Sequence, residues 1–118
     1  MLVEHVRRIA GPATVFLFLV AAGQARVEAQ EAVTVRTTIK DHRFNPAEIK
    51  VPANKPIVIV VRNLDPTPEE FESQTLRFEK IVAANSEITI KVRPLVPGRY
   101  RFYGDFNQAT ANGALIAE

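Results

Sequence analysis

Between Asp65 and Glu72 the chain reads Asp-Pro-Thr-Pro-Glu-Glu-Phe-Glu, so four of eight residues are acids: Asp65, Glu69, Glu70 and Glu72. No Lys or Arg lies between Arg62 and Arg77, and Glu79 follows with Lys80 beside it. Crowded carboxylates repel one another unless a cation, a proton or solvent intervenes. A hard or borderline divalent metal is the natural cation for such a set. Most acidic runs are no more than solvated loops. This one differs in having Phe71 at its centre, an apolar anchor that would pin the flanking carboxylates to the edge of a core. In an extended segment Glu70 and Glu72 point to the same side and can share one ion while Phe71 packs inward. Glu69 lies on the Phe71 side unless the chain bends. Asp105 is the next candidate, at the end of a strand-like run in Gly104-Asp105-Phe106; strict alternation turns it outward. His42, just before Arg43-Phe44-Asn45-Pro46, is an outer candidate, since a lone loop histidine is more often a surface residue than a ligand.

Other chemistries find little support. There is no cysteine nucleophile and no G-x-S-x-G, and the five glycines form no phosphate-cradling pattern. No basic block or aromatic-basic alternation points to nucleic acid.

The elements that must carry these residues read as β throughout. Val33, Val35, Thr37 and Ile39 alternate with Thr34, Arg36, Thr38 and Lys40, the period of a half-buried strand. Ile49 to Val51 form a short strand, and Pro52 to Pro56 a turn in which Asn54 tolerates left-handed geometry. Ile57 to Val61 are apolar on both faces, as a central strand covered on both sides would be. Ile88, Ile90 and Val92 alternate with polar neighbours, as do Tyr100, Phe102 and Gly104 after the Pro97-Gly98 turn. Leu115 to Ala117 close the chain. Residues 64–82 interrupt the regular pattern, with room for a helical turn. Short strands separated by turn signals predict an all-β sandwich or barrel.

The first 29 residues read as a cleavable signal peptide rather than as fold. Arg7 and Arg8 precede an apolar run from Ala13 to Ala22, and small residues follow at peptidase spacing in either Gly23-Gln24-Ala25 or Val27-Glu28-Ala29, of which the second is favoured. The run is short for a membrane span, which needs about 20 residues. An uncleaved anchor is the alternative. Cleavage after Ala29 leaves residues 30–118 as one domain. It removes three Arg and two Glu, lowering the formal net charge from +2 to +1. The exported domain has no disulfide, so sheet packing or a bound ligand must stabilise it.

Asp41-His42-x-Phe44-x-Pro46-x-x-Ile49-x-Val51-Pro52-Ala53, an apolar strand ending in Asn63, then Pro97-Gly98-x-Tyr100-x-Phe102 and a closing strand at Gly113 resemble a cupredoxin. The resemblance implies a Greek-key β-sandwich and covers nearly all of residues 30–118. Within it, Glu69-Glu70-Phe71-Glu72-Ser73-x-x-Leu76-x-x-Glu79-Lys80 resembles the cupredoxin-like periplasmic components of bacterial ferrous-iron uptake systems, and is similar to the EfeO-type cupredoxin-like domain. That likeness implies a role in ferrous iron import from the periplasm, with a copper or iron site and oxidation of Fe(II) before transport. It also implies two partners, an iron permease and a periplasmic iron-binding protein, with membrane contact only through the partner.

Blue-copper members use a histidine just before the core aromatic of the acidic connection, where this chain has Glu69 or Glu70. They use a cysteine at the end of the penultimate strand, where it has Gly104 or Asp105. A further histidine and usually a methionine follow in the next loop, where Asn107 and the stretch Gln108 to Asn112 offer neither. Some iron-uptake members carry Glu-Phe-His at Asp105-Phe106-Asn107. Without a thiolate no type 1 blue copper site can form. An oxygen-rich site favours Fe(III), or Cu(II) with nitrogen help. The expected metal set is therefore Glu70, Glu72 and Glu79, with Asp105, Glu69 and His42 as further candidates. A metal-free module that docks a partner of the transport system through its acidic connection is the alternative.

Overall fold

The computed structural model describes residues 11–18 and 30–118. Most of the expected signal segment, including Arg7, Arg8 and the cleavage point after Ala29, lies outside the described residues. No helix among those described is long and apolar enough to cross a membrane.

The alternating residues become strands. In chain order these are β1 (Val33–Lys40), β2 (Arg43–Asn45), β3 (Glu48–Val51), β4 (Ile57–Asn63), β5 (Glu69–Ser73), β6 (Phe78–Val82), β7 (Glu87–Val92), β8 (Gly98–Gly104) and β9 (Asn112–Ala117). A short 3-10 helix, Asp105–Asn107, follows β8. The strands form two sheets, one in the order β2-β1-β4-β7 and the other β3-β9-β8-β5-β6. Strand β1 runs parallel to β4, and β3 parallel to β9, while the other pairings are antiparallel. Such non-sequential pairing requires the chain to cross repeatedly between sheets, as in a Greek-key sandwich.

The core lies between the sheets. Ile39, Ile57, Ile59, Val61, Phe71, Val82, Phe102 and Leu115 are all buried there. Each such side chain contributes roughly 1.5–3 kcal/mol on leaving water. Four phenylalanines form its aromatic centre: the Phe71 ring lies 5.7 Å from Phe44, 4.9 Å from Phe78 and 5.2 Å from Phe102.

Two local expectations need correction. Strand β4 is internal to its sheet, but its outward face carries Val58, only partly buried, and exposed Arg62. Among the described residues no second cover of the kind expected from an unbroken apolar run lies on this face, although Val60, between Arg36 and Thr89 in the register, is buried. Residues 64–82 hold no helical turn. They form a hairpin in which β5 pairs β6, with a turn that ends at Arg77 in left-handed geometry (φ 58°). The β-period was present in Glu69 to Ser73, but charged residues fill its outward positions and Glu69 one of its inward ones, so hydropathy alone does not reveal it.

Candidate metal centre

The hairpin sets the geometry of the acids. On β5, Glu69, Phe71 and Ser73 face inward and are buried, whereas Glu70 and Glu72 face outward and are partly exposed. On β6, Glu79 lies directly opposite Glu72, and Ile81 opposite Glu70. On the other side of β5, Tyr103 lies opposite Glu72, and Asn112 opposite Tyr103. Glu79, Glu72, Tyr103 and Asn112 thus form one row across the outer face of the sheet. Carboxylates directly opposite in an antiparallel pair repel and weaken the sheet.

Glu70, Glu72 and Glu79 each offer a carboxylate oxygen, and these oxygens lie within 4.8 Å of one another. The ion pairs among the described residues, Arg36–Glu87, His42–Asp65, Lys50–Glu118 and Arg99–Glu48, leave all three out. The crowding is visible at Glu70. The hydrogen bond Glu70 shares with Glu79, then desolvation, then the charges of Glu79, Asp105 and Glu72 push its carboxyl from the ordinary 4.5 up to about 7. Desolvation first, and then the adjacent Glu72 carboxylate, hold the Tyr103 hydroxyl above its ordinary value. Three carboxylates on one sheet face are hard oxygen donors of the kind that a single cation would require.

The remaining candidates are placed differently. Asp105 opens the 3-10 helix after β8 and lies near enough to Glu70 to raise its pKa, so the strand end is irregular there. Glu69 turns inward. Its Oε1 accepts hydrogen bonds from the backbone N–H groups of Glu70 (3.0 Å) and Phe106 (2.9 Å), and its Oε2 accepts one from Asn107 Nδ2 (2.8 Å). His42 sits at a left-handed position in the β1–β2 turn, with Nδ1 3.6 Å from Asp65 Oδ2. The structure brings neither Glu69 nor His42 into the glutamate group. Asp65, counted with the acidic run in the sequence, is buried and structural: its carboxylate accepts the backbone N–H groups of Asp41 (2.7 Å) and His42 (3.0 Å). Tyr103 is the neighbour that sequence reasoning missed. Its signal was available, since it occupies an outward position on the Tyr100 strand, but which strand stood beside it was not.

A family profile described as Cupredoxin-like domain matches residues 12–117. An uncharacterized protein of Rickettsia prowazekii (strain Madrid E) is 48% identical over 82 residues, 70% of this chain and 66% of that protein. The chain therefore spans just under two thirds of that relative's length. Among solved structures, the metal-binding domain of the Cu(I)-exporting P-type ATPase CopA of Streptococcus pneumoniae, determined with Cu(I), superposes with a TM-score of 0.65 at 17% identity, covering 72% of this chain and 84% of that one. Auracyanin A, a blue copper protein of Chloroflexus aurantiacus, superposes with a TM-score of 0.62 at 10% identity, covering 75% of this chain and all of that one. At these identities the likeness establishes the fold alone.

A blue-copper centre does not fit the residues present. The chain has no cysteine. Gly104 ends β8, and the Glu69 carboxylate occupies the space beside it. No chemistry of this protein runs through such a centre.

Proposed function

We propose that this chain, which belongs to the cupredoxin-like domain family, binds a hard transition-metal cation through Glu70, Glu72 and Glu79 and serves ferrous iron import in the periplasm. One observation carries the reading: three carboxylates converge within 4.8 Å on the outer face of the sheet, two of them directly opposite in the ladder. Such a placement is unfavourable unless a proton or a cation joins the acids. All-oxygen donors suit iron, with Cu(II) as the competing ion. The likeness of the Glu69-to-Lys80 stretch to iron-uptake components supports iron as the cargo, a permease as its destination and a periplasmic iron-binding protein as a further partner. If iron is oxidised at the site, Fe(II) gives up one electron to dioxygen or to a redox partner and leaves as Fe(III).

Isothermal titration with Mn(II), anaerobic Fe(II) and Cu(II) tests this. Binding of at least one ion at one equivalent is expected, and Glu70→Gln with Glu72→Gln should abolish it. No binding by the wild type, or full affinity in the double variant, removes the proposed centre. Exposed Ile81, opposite Glu70 in the register, favours a second reading in which the same acids and an apolar neighbour dock a basic partner without metal. A pull-down in EDTA with the associated permease would then retain the wild type and lose the double variant.

A further inference from the structure

The inward side of β5 carries a second arrangement. The resemblance to blue-copper proteins implies a histidine at Glu69 or Glu70, a cysteine at Gly104 or Asp105 and a second histidine at Asn107, and of these positions Glu69, Gly104 and Asn107 are the ones that meet on the inward side. We infer that in this chain a buried metal centre has been exchanged for a metal-free carboxylate latch, with Glu69 bridging the elements an ion would otherwise tie together.

The space is already taken. A Cβ built on Gly104 would lie 2.5 Å from Glu69 Cδ, 2.7 Å from its Oε2 and 2.8 Å from the Ala111 methyl. The Glu69 carboxylate and a side chain at position 104 therefore exclude each other. Glu69 is 2% exposed, so its charge is costly unless hydrogen-bonded. Three donors meet that need, two on Oε1 and one on Oε2. No buried side-chain nitrogen or oxygen among the described residues lacks a partner. Nothing at this position calls for a cation.

The latch also has a mechanical task. Strands β5 and β8 pair only through Phe71–Gly104 and Glu72–Tyr103. Beyond Gly104 the chain leaves the ladder for the 3-10 helix. There, Phe106 N–H and Asn107 Nδ2 bind Glu69 instead of a strand partner, and Asn107 C=O accepts the N–H of Ala111 (2.8 Å). Glu69 thus joins β5 to the β8–β9 loop by hydrogen bonds, and this holds Asp105 at the rim of the outer glutamates.

Thermal unfolding of the full chain in EDTA tests the latch independently of whether Glu70, Glu72 and Glu79 hold metal. Asn107→Ala should lower the melting temperature by about 4–8 °C, and Glu69→Ala by about 10 °C or more. In the Glu69→Ala protein, adding Asn107→Ala should cost little, because the bond is already gone. Strict additivity, or an unchanged melting temperature in either single variant, overturns the latch. A second arm asks whether the latch stands in the metal position. Glu69→His with Gly104→Cys, Asn107→His and Ala111→Gly, the last removing the methyl that would lie 2.8 Å from the new Cβ, should give an intense visible copper–thiolate band with Cu(II), while the wild type gives none. A folded variant of this kind that binds Cu(II) without that band, or a wild type whose Cu(II) signal disappears in Asn107→Ala alone, refutes the assignment.

Discussion

At the scale of single residues, the decisive step is the change from Glu69 to Glu70. Adjacent residues of one strand face opposite sides, so two neighbouring carboxylates enter different environments. Glu69 is buried and hydrogen-bonded to three donors; Glu70 is crowded by like charges at the surface. The raised pKa of Glu70 has two consequences of opposite sign. Between 4.5 and about 7 the folded protein binds more protons there than the unfolded chain, so its metal-free stability falls as pH rises through that window. Metal and proton compete for the same oxygens, so metal affinity rises over the same range. Melting curves in EDTA from pH 4 to 8 should therefore show Glu70→Gln flattening a decline seen in the wild type. Mn(II) titrations at pH 5.5 and 7.5 should show tighter binding at the higher pH. Equal affinity at both pH values would place the ion elsewhere.

At the scale of elements, the β5–β6 hairpin is what converts an acidic run into a cluster. Glu79 is seven residues from Glu72 in sequence, and only the ladder sets them face to face. Phe71 anchors that ladder to the aromatic centre against Phe44, Phe78 and Phe102. Phe71→Ala should cost about 3–5 kcal/mol in chemical denaturation. The same-side placement of Glu70 and Glu72 with Phe71 inward was legible in the sequence, because strand periodicity alone dictates it. The partner strand was not, because the turn from Gln74 to Arg77 contains neither Gly nor Pro and rests instead on a left-handed Arg77. A residue of that type at positive φ is uncommon and leaves no sequence mark.

At the scale of the whole molecule, charge is segregated in a way that net charge conceals. On the outward face of the β2-β1-β4-β7 sheet stand Arg36, Lys40, Arg43, Arg62 and Lys91, all exposed, with Glu87 as the acid in the same rows. The glutamate cluster lies on the outward face of the other sheet, across the core. No run of the sequence is basic, since the topology collects these cations from four strands. Low-salt chromatography at pH 7 should retain the protein on a cation exchanger more strongly than its small net charge alone warrants. Arg43→Gln with Lys91→Gln, neither of which pairs with an acid among the described residues, should release it at markedly lower salt, without loss of fold. Equal elution of the two proteins would mean that the face does not act as a unit.

The sequence by itself determined the all-β class, the inward and outward assignment along most strands, and the impossibility of a thiolate copper site. Each of these depends on residue identity or on a two-residue period, which are local properties. Only the tertiary structure decided which acids meet, that Asp65 and Glu69 serve the fold from within, and that Gly104 is required beside the Glu69 carboxylate. These depend on which strands become neighbours and in what register, and register is set by the packing of the two sheets as a whole. A cluster assembled from β5 and β6, with Asp105 brought to its rim by a latch from β5, has no counterpart in any single stretch of the chain.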